Sequence, residues 1–170
     1  MVAAAAALVQ KVARLSVEKW PEASQMHARA EQLRLQSEEL IEQDAVAYLA
    51  FMEAVRSGEG VAGAQARTIQ VPLEIARAAA EVAELAEQAG TLGNPKLRPD
   101  AVVAVMLAAA AAESAAYLVG MNVGETTDGR WDEARQLASE ASARLRSPGA
   151  RGSSSGPGRG RGRPEGSRRR

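Results

Sequence analysis

The chain has no cysteine and one histidine, His27, among 170 residues. That excludes a disulfide framework, a Cys/His zinc site and a cysteine nucleophile. Aromatic residues make up only 3% of it. The interior must therefore be filled by Ala, Leu and Val, on helices that approach closely. No segment alternates apolar and polar residues as a half-buried strand does. A phosphate loop is missing too, because the glycines at 58, 60 and 63 have neither the lysine nor the preceding strand that one requires. The lack of cysteine fits a reducing cytoplasm, the expected location.

The formal charge of +0 conceals a split. Residues 1–146 hold 14 basic and 20 acidic side chains, a net of −6, whereas residues 147–170 hold 7 basic and 1 acidic, a net of +6. That last segment is rich in Gly, Ser, Pro and Arg and cannot offset the entropy of ordering, so it reads as a disordered basic tail behind one domain, 1–146. Its arginines offer a route to RNA or another polyanion, but no aromatic is interleaved to stack on bases. A solvated extension is the favoured reading.

Membrane and export signals are weak. Met1–Val9 is apolar, but Lys11 and Arg14 follow it, the reverse of a secretory signal. Ala101–Val123 is long enough to cross a bilayer, yet Ala contributes little to insertion and a central Glu113 is costly in lipid. It reads as a buried helix, with no membrane involved.

Every strong period is helical. A first helix covers 2–15, and Trp20-Pro21-Glu22 breaks the chain before a second over 22–56, whose apolar stripe is Met26, Ala30, Leu33, Leu40, Ile41, Tyr48, Phe51, Met52 and Val55. A third, 62–89, carries Pro72, which should kink or divide it. Residues 90–95 form a loop, Ala101–Asn122 a fourth helix, and 130–146 a fifth. The chain is thus an all-α bundle of about five helices.

Asp44 falls on the apolar stripe of the second helix and not on its wet face. A carboxylate there needs a partner or a raised pKa, which is how acid and base catalysts are tuned. Pairing with a helix end or with Arg67 explains it equally well, and both readings stand open. Asp100 follows Pro99 just before the apolar helix, where an N-cap carboxylate belongs. Asn94 reads first as loop chemistry. Asn122 is less usual, since an amide after so long an apolar run either caps the end or meets a ligand. Glu113 pairs with a base or faces the bundle edge, and a lone His27 is more often a half-exposed residue than a ligand. No metal is expected.

Several short segments occur in a telling order: Val12-Ala13-Arg14-Leu15-Ser16, Asp44 with Tyr48, Val71-Pro72-Leu73, Gly93-Asn94, Pro99-Asp100 and Met121-Asn122. Together, across residues 2–146, they resemble the cyclodeaminase/cyclohydrolase family of folate-dependent one-carbon enzymes. No single motif is specific; the order and spacing carry the likeness. The resemblance implies an all-helical homodimer acting on a tetrahydrofolate derivative as substrate, as a methenyltetrahydrofolate cyclohydrolase or a formiminotetrahydrofolate cyclodeaminase. It implies Asp44 and Asp100 as the catalytic pair, Asn94 and Asn122 orienting the pterin, and Lys96 or Arg98 meeting the glutamate tail. The chain departs from the family pattern in three places. No glycine-rich segment stands before the first helix, Pro99 replaces a Ser, and Leu118 replaces an Asn. These departures support the alternative, a catalytically inactive helical dimerisation or interaction module of the same fold.

Overall fold

A computed structural model of the chain describes residues 1–124 and 127–146; the tail, 147–170, and its expected disorder lie outside the described residues. Five α-helices stand in order among them: α1 (Val2–Arg14), α2 (Ala23–Ser57), α3 (Val61–Leu92), α4 (Arg98–Val123) and α5 (Gly129–Arg144). A 3₁₀ turn at Pro95–Leu97 leads into α4. No strand occurs among the described residues, so the all-α expectation holds.

α3 packs against all four other helices, and α4 packs against α1, α3 and α5. Its buried positions are mostly alanines, among them Ala104, Ala108, Ala112 and Ala115, so the neighbouring backbones come close without voids. By length and composition the segment Pro95–Val123 could cross a membrane, and half of its most apolar stretch is buried inside the bundle. Gly120 permits the tightest approach: a Cβ there would stand 2.7 Å from Trp131 Nε1 on α5. Glu113 faces α5 as well, accepting a hydrogen bond from the Ser142 hydroxyl at 2.5 Å.

α4 starts earlier than its apolar pattern suggests. Pro99 lies in its first turn, where proline needs no donor and its φ is already helical. Asp100 is consequently inside the first turn and not the N-cap that its sequence position suggests, and its carboxylate accepts from Lys11 Nζ on α1 at 2.9 Å.

The stripe on α2 also behaves differently from its pattern. Met26, Ala30, Leu33 and Leu40 are buried, but Ile41 is 61% exposed, and Tyr48, Met52 and Val55 are exposed as well. The reason is length: α1 has 13 residues against 35 in α2, so it covers only the first part. Beyond it α2 leans on α3 through small residues, with Ala47 in a separate cluster with Leu40 and Val71.

Surface ion pairs set helix register. Arg29 makes two bonds to Glu81, at 2.5 and 2.7 Å, joining α2 to α3; Arg77–Glu133 and Arg144–Glu87 join α3 to α5 at 2.7 and 2.6 Å. Exposed pairs of this kind are worth about 0–1 kcal/mol each, so alignment is their main contribution.

α5 is capped by Asp128, whose Oδ1 accepts from the Arg130 backbone N–H at 2.9 Å. The Arg130 guanidinium grips the same carboxylate, with Nη2 2.6 Å from Oδ2. These bonds to Arg130 lower the Asp128 pKa from 3.8 to about 2. A depressed carboxylate stabilises the fold fully above its unfolded pKa and loses that contribution as pH falls through the folded one. Between about pH 4 and pH 2 the melting temperature of the wild type should therefore fall more steeply than that of Asp128→Asn, followed by circular dichroism. Equal slopes would remove this role.

Candidate functional site

Pro72 lies inside α3, which remains one helix from Val61 to Leu92 and is not divided as the proline suggests. Proline has no N–H, so the carbonyl four residues earlier, that of Thr68, loses its helical partner. Asn122 on α4 supplies the replacement: its Nδ2 donates to Thr68 O at 2.6 Å. The exchange is reciprocal. Asn122 is in the last turn of α4, where carbonyls lack intrahelical donors, and Gln65 Nε2 on α3 donates to Asn122 O at 3.1 Å. Arg130 Nη1 adds a third tie, to Ala66 O at 3.2 Å.

Beside this clamp opens a cavity of about 250 Å³. Three helices each contribute a pair of residues four apart: Asp44 and Tyr48 from α2, Thr68 and Pro72 from α3, Leu118 and Asn122 from α4. Side chains at that spacing lie one above the other on a helix face, which is why all six meet. Phe51 completes the wall. Asp44 is half-buried on this wall, and no ion pair joins it to Arg67 among the described residues. The cavity thus combines one carboxylate, a phenol, a hydroxyl and a carboxamide with apolar sides, the composition of a small-molecule site. Asn122 has committed one of its two Nδ2 protons to Thr68 O, so it retains the other proton and the acceptor Oδ1 for a ligand.

The other sequence-derived candidates are elsewhere. Asn94 caps the 3₁₀ turn, its Oδ1 accepting from the Lys96 backbone N–H at 3.1 Å. Its own N–H donates to Ser16 Oγ at 2.8 Å, and that buried hydroxyl donates to Val12 O at 2.7 Å. Lys96 is exposed in the turn, and Arg98 opens α4. These residues and Asp100 are therefore at the opposite end of α4 from Asn122, about 33 Å away at roughly 1.5 Å per residue. Within one chain Asp44 and Asp100 do not meet. His27 shares a small polar cavity with Gln10, Lys11 and Arg14 instead. Among the described residues no group of three or more His, Asp or Glu is placed to hold a metal ion.

Sequence reading missed the roles of Thr68 and Gln65. The signal was available: a proline inside a helical pattern announces an unpartnered carbonyl four residues back, and a donor has to come from somewhere.

The family model for formiminotransferase-cyclodeaminase matches residues 1–142, and the chain belongs to that family. The bundle is similar to the crystal structure of formiminotetrahydrofolate cyclodeaminase from Thermotoga maritima, with 25% sequence identity and a TM-score of 0.77. That match covers 85% of this chain and 80% of the other. Comparison with curated proteins finds no match.

Asn122→Leu should destabilise the fold by about 1–3 kcal/mol, the cost of an unpaired buried carbonyl. In a Pro72→Ala background residue 72 donates to Thr68 itself, so the cost of Asn122→Leu should drop by at least half. Urea melts of the four proteins decide this; equal costs in both backgrounds would show that Asn122 does not serve the orphaned carbonyl.

Proposed function

We propose that the chain is a folate-dependent one-carbon enzyme acting at the carbon between N5 and N10 of a tetrahydrofolate. The observation that carries this reading is Asp44 in the wall of the three-helix cavity that also holds the Asn122 amide, itself fixed on the Thr68 carbonyl. Family membership supplies the substrate class. A cavity of roughly 150 Å³ accepts one benzene ring, so 250 Å³ accommodates a fused two-ring head group. Asn122 Oδ1 would accept from a ring N–H and the Tyr48 phenol would serve a ring acceptor, while the Thr68 hydroxyl, which donates to Gln65 O at 2.9 Å, would only accept.

One carboxylate suffices for the cyclodeaminase direction. N10 attacks the formimino carbon, Asp44 takes the N10 proton, the carbon–nitrogen bond to the amino group breaks, and the same proton leaves on ammonia. In the cyclohydrolase direction Asp44 would orient water against the methenyl carbon and accept its proton.

Asn94, Lys96, Arg98 and Asp100 would serve this cavity only from a second copy of the chain, because the length of α4 exceeds that of a folate monoglutamate. A cytoplasmic homodimer is part of the proposal. Exposed apolar side chains on α2 and α4, including Leu49, Met52, Val103 and Met106, support self-association.

The second reading, an inactive interaction module of the same fold, is favoured by Leu118 in the cavity wall, where the family pattern has an amide, and by Asp100 being spent on Lys11. Turnover decides between them. The wild type should release ammonia from 5-formiminotetrahydrofolate, or clear the absorbance of the methenyl form faster than buffer does, and Asp44→Asn should lose about 10²- to 10⁴-fold in rate with its fold intact. Binding without turnover selects the inactive module; turnover that survives Asp44→Asn removes Asp44 from the chemistry.

A further inference from the structure

α1 presents two faces. Val2, Ala5, Ala6, Val9, Val12 and Ala13 are buried in the core. Ala7, Gln10, Lys11 and Arg14 recur at three and four on another face, so their side chains form one row along the helix. His27 on α2 stands against that row, and the five residues line a cavity of about 220 Å³. It shares no lining residue with the Asp44 cavity.

The charges around this space are of one sign. No acid lines it, although residues 1–146 carry a net charge of −6. Elsewhere on the bundle a base meets an acid, as Arg29 meets Glu81, Arg77 meets Glu133 and Arg144 meets Glu87. Here only Lys11 does, through the exposed pair that Asp100 makes with it from α4 at 2.9 Å. Arg14, His27 and the half-buried Gln10 have no side-chain hydrogen bond or ion pair among the described residues. The helix dipole accounts for cations in the last turn of α1, where Lys11 and Arg14 stand. It does not account for His27, which a different helix brings to the same space near its own N-terminus, where positive charge has no dipole support.

The donors suit a particular anion. Arg14 offers a planar fork, Lys11 an ammonium whose three protons serve Asp100 and a ligand at once, His27 a ring N–H and Gln10 a carboxamide. A carboxylate has two oxygens in one plane and leaves part of this set unused. A phosphoryl group presents three oxygens in a pyramid to donors that arrive from two helices. The space exceeds the roughly 150 Å³ that takes a benzene ring, so a small substituent fits beside the phosphate, against the Ala7 methyl and the aliphatic stems of Lys11 and Arg14.

We infer that this cavity between α1 and α2 is a binding site for phosphate, as the free ion or as a small monoester, with Arg14, Lys11 and His27 as its donors. The site stands whether or not the Asp44 cavity takes a folate.

His27 is the only histidine, so its ring Hε1 gives a single proton resonance that reports on the cavity. Inorganic phosphate is titrated into the untagged chain at fixed pH, with sodium chloride at matched ionic strength as the reference. The resonance should move saturably, with a Kd of about 1 mM or tighter. Arg14→Gln should raise that Kd about tenfold or more. So should Ala7→Glu, which gives the row an acid four residues before Lys11, a spacing that supports the helix. Both positions are exposed. Arg56→Gln, about 40 Å further along α2 at roughly 1.5 Å per residue, removes the same charge and should change the Kd less than about twofold. A drift that chloride reproduces, or equal losses in Arg14→Gln and Arg56→Gln, would mean an adventitious ion only and would overturn the site. Succinate bound as tightly as phosphate would overturn the assignment to phosphate. Glycerol 3-phosphate separates the two sources: tighter binding than inorganic phosphate assigns an organic monoester, and weaker binding assigns the free ion.

Discussion

A proton that Pro72 does not have organises this bundle. The missing N–H leaves the Thr68 carbonyl without a helical partner in the middle of α3, in a place too enclosed for water to replace it freely. Leaving it unpaired would cost more than a typical hydrogen bond returns, so the partner is effectively obligatory. Asn122 provides it from α4, and Gln65 answers from α3 to the open carbonyl end of α4. Two defects that would each weaken a helix are thereby turned against one another. Because both donors are short side chains, α3 and α4 must keep their register to within a fraction of a turn.

The alanines make that register attainable. Large residues along α4 would hold α3 too far away for a carboxamide to reach a backbone carbonyl, whereas Ala108, Ala112 and Ala115 let the backbones approach. The same economy leaves a shortage of bulk where α1 runs out. Past that point the buried α2 residues are few, Leu40, Ala47 and Ala54, and the space not filled by larger side chains is the Asp44 cavity. The Asn122 and Gln65 bonds fix the spacing of α3 and α4 along one of its walls.

Helix number and type were readable from period alone, since every buried position on α1 and on the first half of α2 recurs at three and four. The ends were less so. α4 runs through Pro99 because proline in a first turn costs nothing, and that moved Asp100 from cap to first-turn ion pair. The stripe on α2 could not announce that its later members face outward, because burial there depends on how far α1 reaches, a property of another helix. Of the candidate site, Asp44 and Asn122 were identified from their anomalous polarity and are brought to one cavity. Asn94, Lys96, Arg98 and Asp100 were grouped with them by the family resemblance, although the 26-residue length of α4 puts Asp100 and Asn122 at its opposite ends.

That separation constrains mechanism as well as geometry. With Asp100 bound to Lys11 at the far end of α4, a site built by one chain contains a single carboxylate, so any proton removed from the ligand must return from the same group or go to solvent. Transfer of ammonia out of a formimino group fits that economy, because the proton taken from N10 is the one the leaving nitrogen needs. Hydrolysis of the methenyl bridge releases a net proton instead, and Asp44, reached through the open side of the cavity, would have to pass it to water after each turnover. On the folate reading proposed above, the one carboxylate of a single chain returns its proton within the deaminase step, whereas the cyclohydrolase step needs either this path to solvent or a second copy's Asp100.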